Sequence, residues 1–156
     1  MNQKHLKLII LIVLLVFFST FIFIHAFNDN KLEKEIKDIN LKNVDRLYVL
    51  AKDQKLICND RELIQQFETI IHTIMLSNKN FSKMQREQRN VFLFTFEKET
   101  KAYSIEISYP DRSDYLYLYI KCDKKYANFC YDLNQENFEQ LKFFLDNVIT
   151  ISHPYI

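Results

Sequence analysis

Apolar and polar positions divide the chain into stretches of different period. Residues 8–27, LIILIVLLVFFSTFIFIHAF, are apolar with only Ser19, Thr20 and His25 interrupting. Residues 28–43, NDNKLEKEIKDINLKN, place Leu32, Ile36 and Ile39 at helical spacing among charges. From Asn43 the period shortens. VDRLYVLA (44–51) and LICN (56–59) flank Lys52-Asp53-Gln54-Lys55 and predict a hairpin. Leu63, Ile64, Phe67, Ile70, Ile71, Ile74 and Met75 then form one stripe, which predicts an amphipathic helix of about four turns. Asn59 or Asp60 can cap it, and Glu62 completes a capping-box pattern with Asn59.

Residues 77–89, SNKNFSKMQREQR, read as a polar, net-basic connector. Four strands with period-two alternation follow. Phe92, Phe94 and Phe96 mark the first; Tyr103, Ile105, Ile107 and Tyr109 the second. Leu116, Leu118, Ile120 and Cys122 mark the third; Ala127, Phe129, Tyr131 and Leu133 the fourth. Their connections are short, and Tyr109-Pro110-Asp111 opens a turn, so an antiparallel meander is predicted. Asn134 caps a last helix whose apolar face is Phe138, Leu141, Phe144, Leu145 and Val148, with Leu133 and Phe138 as a hydrophobic staple. With both helices on one side of the sheet, the fold class is α+β. An N-terminal transmembrane helix precedes a two-layer domain of hairpin, helix, four-stranded antiparallel meander and C-terminal helix.

Domain organisation follows from the same divisions. Residues 1–7 are a short basic N-terminus, 8–27 a transmembrane anchor, 28–43 a helical stalk or linker, 44–150 the α+β domain and 151–156 a tail. As a helix, residues 8–27 would measure about 30 Å, the thickness of a bilayer's hydrocarbon core. That is longer than the apolar region of a cleaved signal, and Ile24 fits the small-residue requirement of a site at Ile24-His25-Ala26 badly, so the segment is expected to stay. The basic residues Lys31, Lys34, Lys37 and Lys42 beyond the segment oppose export on a strict charge count. A short leader carrying Lys4 and Lys7 favours it, and long following domains translocate largely regardless of charge. The expected location is therefore the cell membrane, single-pass, with the C-terminal domain extracytoplasmic. Positions 32, 36, 39 and 43 also carry a coiled-coil rhythm, through which a solvated stalk could pair with a second copy.

Composition narrows the function more than it names it. The 156 residues include no glycine, so phosphate cradles, nucleophile elbows and Rossmann turns lack the residue they require. Lys4 and Lys7 precede every acid, and the rest of the chain holds one more acid than it holds bases. Nucleic-acid binding by counterion release calls for a basic excess instead, and is not expected. Cys58, Cys122 and Cys130 form no C-x-x-C pair, and His72 beside the apolar stripe has no second ligand at helical spacing. No catalytic residue, metal ligand or cofactor site is singled out.

The residues out of phase with the core supply the candidate surface. They are Tyr115, Tyr117 and Tyr119 on the third meander strand, flanked by Glu106 on the second and Tyr126 on the fourth. Tyrosine offers large contact area with a hydrogen-bonding tip, which suits recognition of a protein or peptide. The same tyrosines would also serve simply to stabilise a sheet, and the first hairpin could cover them.

The order of apolar anchor, hairpin, helix, antiparallel strands and closing helix over residues 43–148 resembles small membrane-anchored or lipoprotein-type extracytoplasmic domains of unknown function from Gram-positive bacteria. The chain lacks the acylated cysteine of the lipoproteins among them. The expected function is that of a membrane-anchored extracytoplasmic binding or accessory domain, in sensing, immunity or complex assembly. Its partners would be the lipid bilayer, through the N-terminal helix, and another envelope protein or peptide. The alternative is an enzyme acting on cell-envelope material, which a cleft gathering Asp or Glu with His would favour.

Overall fold

A computed structural model describes residues 3–79, 90–110 and 115–154. Most of the polar connector, and the turn begun at Tyr109-Pro110, lie outside these ranges. The protein is α+β, with a long apolar N-terminal helix and an antiparallel sheet. Helix α1 runs from Gln3 to Lys37; β1 (Leu47–Ala51) and β2 (Gln54–Cys58) form the first hairpin; α2 spans Arg61–Leu76. After the two-residue β3 (Asn78–Lys79) come β4 (Asn90–Lys98), β5 (Lys101–Tyr109), β6 (Tyr115–Cys122) and β7 (Lys125–Asp132). Helix α3 (Gln135–Ile151) and the two-residue β8 (His153–Pro154) close the chain.

The sheet is larger than the expected meander. Its order is β3-β7-β6-β5-β4-β1-β2-β8. The hairpin β1–β2 does not lie over the meander; β1 pairs antiparallel with β4 and extends the sheet sideways, Val49 opposite Phe94. The segment expected to be a tail is also used, since Pro154 pairs with Leu56 and Ser152 is buried.

Turns must form without glycine. Lys52 and Asp53 in the first hairpin, Glu99 between β4 and β5, and Asp123 between β6 and β7 all take positive φ. Side chains with a Cβ occupy that region at a cost of about 1–2 kcal/mol each, which the pairing of the flanking strands must offset. Capping is conventional. Asp60 accepts a hydrogen bond from the Leu63 amide at 2.9 Å, and Asn134 accepts one from the Asn137 amide at 2.8 Å.

One hydrophobic cluster joins the in-phase side chains of the sheet to the inner faces of the helices. Phe67 of α2 sits at its centre, its ring stacked 4.4 Å from that of Phe94 and 6.1 Å from that of Phe144. The cluster also contains Leu32, Ile36 and Ile39, which corrects the reading of residues 28–43 as a solvated stalk. Three of the four seam positions, Leu32, Ile36 and Ile39, are buried within their own chain and only Asn43 is exposed, so the apolar part of that seam is not available to a second copy. Helix α1 carries Leu32 and Ile36 but ends at Lys37, so Ile39 reaches the core from the non-helical segment that follows.

Polar contacts fix the same segment. Glu33 does not pair with Lys37 four residues on; it pairs with Lys79 of β3 and receives a hydrogen bond from the Tyr131 hydroxyl at 3.4 Å. Glu35 pairs with Lys101 and accepts from the Tyr103 hydroxyl at 2.7 Å. Downstream, Glu68 accepts from the Leu41 amide at 2.6 Å. His72 Nε2 lies 3.0 Å from the Ile39 carbonyl, to which the half-buried ring donates.

Burial alone would raise the Glu35 pKa, but its bonds from Lys101 and Tyr103 outweigh burial and hold the carboxyl below its ordinary value of 4.5. A lowered carboxylate pKa contributes stability that is complete above the unfolded value and lost as pH falls through the folded one. Glu35→Gln should therefore lower stability by about 1 kcal/mol at neutral pH, a hydrogen-bonded ion pair discounted for the exposure of Lys101. Urea titrations of parent and variant should converge as pH drops below 4.5. A difference that stays constant down to acid pH would refute the assignment.

Candidate functional site: the sheet face opposite the helices

Strand register decides what lies on the face away from the helices. Tyr119 stands opposite Glu106 on one side and Asn128 on the other, and Glu106 stands opposite Leu93, itself opposite Leu50. The next row runs Tyr126, Lys121, Ser104, Thr95, Tyr48. A third runs Cys130, Tyr117, Ser108, Val91. Tyr115, Tyr117, Tyr119, Tyr126 and Glu106, the residues expected to form the surface, therefore share one face. Their neighbours Leu116, Leu118 and Ile120 point into the core and are fully buried.

The tyrosines interact along the strand as well as across it. The Tyr115 and Tyr117 rings meet edge to face at 5.7 Å, and Tyr119 stacks on Tyr126 at 6.3 Å. Such pairs contribute about 0.5–1.5 kcal/mol beyond the area they bury. Exposure is uneven. Tyr126 is 52% exposed, whereas Tyr115, Tyr117 and Tyr119 are half-buried, and Ser108 and Cys130 beside Tyr117 are buried.

Exposed apolar side chains also lie towards β4 and β1, where Val91 is 46%, Leu50 41% and Tyr48 36% exposed. Leu50, Val91, Leu93 and Glu106 line a shallow depression there, with Lys52 and Asp53 of the hairpin turn at its rim. A second depression, lined by Tyr48, Leu50, Lys55 and Leu93, adjoins it. Sequence reasoning missed this apolar half because it treated the hairpin as separate from the sheet. A signal was present: Val91 and Leu93 are apolar on the strand phase where β5 carries Ser104, Glu106 and Ser108.

The cysteines take no part in a shared site. Cys122 stands opposite Lys125 on the core side and Cys130 opposite Tyr117 on the other, so their thiols leave opposite faces of the sheet. All three cysteines are buried. Burial raises the pKa of Cys58 and of Cys122, which disfavours thiolate formation. Among the described residues no group of three or more His, Cys, Asp or Glu side chains is placed to hold a metal ion. In comparisons with protein-family models, curated proteins and solved structures, nothing matches this chain.

Proposed function

We propose that this protein is a single-pass, membrane-anchored binding or accessory domain, with its α+β domain on the outer side of the cell membrane. Its contact surface would be the sheet face opposite the helices, and its partner another envelope protein or peptide. The observation that carries the reading is the pairing of two features in one chain. One is a helix whose residues Leu8–Ile24, apolar apart from Ser19 and Thr20, are exposed along their length, and which is long enough to cross a membrane. The other is a sheet face carrying Tyr126, Tyr119, Leu93, Leu50 and Tyr48 in adjoining rows with Glu106 and Lys121 among them. Aromatic and aliphatic side chains with a few charges between them are the composition of recognition surfaces. Retention of the apolar helix is supported by its unbroken passage through Ile24–Ala26 into a segment packed in the domain core.

Photo-crosslinking in the native membrane tests the choice of surface. A photoreactive amino acid at Leu50 or Tyr126 should give discrete adducts. The same group at Phe143, more exposed than either on the outer side of α3, should give none. Adducts from Phe143 alone would move the contact surface to the helical side and overturn the proposal.

A further inference from the structure

The strands of the sheet have two ends, and the path of α1 shows which of them faces the membrane. One end holds Asp132, opposite Tyr115 at the start of β6 and opposite Asn78 of β3. The other holds the row Lys125, Cys122, Tyr103, Phe96. Helix α2 finishes two residues before Asn78, so its last residue, Leu76, lies at the Asp132 end. Glu33 of α1 pairs with Lys79, just beyond that C-terminus, and meets Tyr131 beside Asp132.

The chain then walks back along α2. The Ile39 carbonyl accepts from His72 at 3.0 Å, the Leu41 amide donates to Glu68 at 2.6 Å, and the Val44 carbonyl accepts from Arg61 at 2.8 Å. Each later residue of this segment meets an earlier residue of α2, so the two run antiparallel. Glu35 fits the same sense, since it meets Lys101 and Tyr103 near the opposite end of the strands. Traced backwards, α1 leaves the domain past the C-terminus of α2 and the Asp132 end of β7.

The domain closes on α1 almost as soon as the apolar run is over. Asp29, on the same helix face as Leu32, Glu33 and Ile36, is half-buried two residues after Phe27. Two residues of helix rise about 3 Å, whereas the polar layer on each side of a bilayer is about 5–7 Å deep. Asn30, Lys31 and Lys34 are exposed on the other side of the helix. At headgroup height, then, one side of α1 is packed in the domain and the other is open to lipid. Lysines at the end of a spanning helix reach out to such a layer.

Leu76 stands at this same end. It is 72% exposed, more than any other apolar side chain of the domain among the described residues. The helix is intact up to it, with Ile74 and Met75 buried and the Ser77 amide bonded to the Ile74 carbonyl at 3.0 Å. A single exposed leucine is ordinary on a surface facing water. On the end of a domain that adjoins a bilayer, it is placed to enter the interfacial layer.

We infer that the domain stands on the bilayer by the end that holds Asp132 and the C-terminus of α2, with Leu76 in contact with the interfacial layer. The inference rests on the membrane-spanning reading of α1. It puts the Lys124–Tyr126 turn outermost. Along β6 and β7 the open face then presents Lys121 and Tyr126 outwards and Tyr115 towards the bilayer.

The chain contains no tryptophan, so single tryptophans report without background. The full-length protein would be reconstituted in phosphatidylcholine–phosphatidylglycerol vesicles carrying either acyl-chain bromine or a headgroup nitroxide as quencher. Phe18→Trp reports the spanning helix, Leu76→Trp the end next to the membrane and Lys124→Trp the outermost turn. Asn78→Trp, exposed and opposite Asp132, repeats the near measurement should Leu76→Trp fail to fold. Along β7, Asp132 and Lys125 are seven residues apart, about 23 Å. The headgroup nitroxide should therefore quench Leu76→Trp or Asn78→Trp at least about twofold more than Lys124→Trp. Acyl-chain bromine should quench Phe18→Trp. If Phe18→Trp is not quenched, the spanning reading fails and takes this inference with it. If Phe18→Trp is quenched while the near and outermost reporters respond equally, or in the reverse order, the helix spans but the seating is wrong.

Discussion

Ile36→Ala is expected to destabilise the domain by about 2–5 kcal/mol, the cost of a large cavity in a packed core. Ile36 is 0% exposed and belongs to the same cluster as Phe67, Phe94 and Leu145. Nothing about its sequence neighbourhood, charged residues on both sides, announces this. If residues 28–43 were a solvated stalk, the substitution would be nearly neutral for the domain. If they formed a seam between two copies, its effect would grow on dilution. Burial within one chain predicts a large effect that is independent of protein concentration, read by urea unfolding of the detergent-solubilised protein at two concentrations. A fragment beginning at Val44 should be still less stable, because it loses Leu32, Ile36, Ile39 and Leu41 together. A loss below about 0.5 kcal/mol for Ile36→Ala would show that the α1 end does not belong to the folding unit.

Local patterns were legible where one residue type had one physical reason to be where it is. The stripe from Leu63 to Met75 reads as a helix because no other conformation puts those seven side chains on one side. The strands of the meander read correctly because Phe92, Phe94 and Phe96 and their counterparts alternate strictly. What could not be read is which surface each pattern meets. Leu32, Ile36 and Ile39 would look the same facing a second helix or a sheet, and only tertiary packing separates the two. The hairpin Leu47–Cys58 could lie over the sheet or beside it, since Tyr48 and Leu50 suit a buried face as well as a half-exposed one. Pairing of β1 with β4 is a contact across more than forty residues, set by shape complementarity that no short window contains. For the same reason Tyr115, Tyr117, Tyr119, Tyr126 and Glu106 could be grouped from alternation alone, whereas Leu50 and Leu93 entered the surface only with the sheet order.

Leu118 and Tyr117 are adjacent residues on opposite faces of β6, and that makes them the sharpest test of the face itself. Leu118 is fully buried between Ile107 on β5 and Phe129 on β7. Leu118→Ala should cost about 2–5 kcal/mol, since the centre of a sheet flanked by paired strands has little freedom to collapse into the void. Tyr117 is half-buried, stands between Ser108 and Cys130, and meets Tyr115 edge to face. Removing its ring forfeits that aromatic pair and some apolar contact, so Tyr117→Ser should cost about 1–2 kcal/mol and leave the domain folded. Unfolding curves for the two variants decide the structural half of the claim: equal losses would mean that Tyr117 belongs to a second core and that the face is covered there. The functional half is decided on the folded variant, by repeating the crosslink from Leu50 in the Tyr117→Ser background. If the whole face is the contact surface, the adduct should fall severalfold, because aromatic residues near the centre of an interface carry a disproportionate share of its energy. An undiminished adduct would confine the surface to the apolar half around Leu50, Val91 and Leu93, and would leave the tyrosines as a device for holding β6 and β7 together.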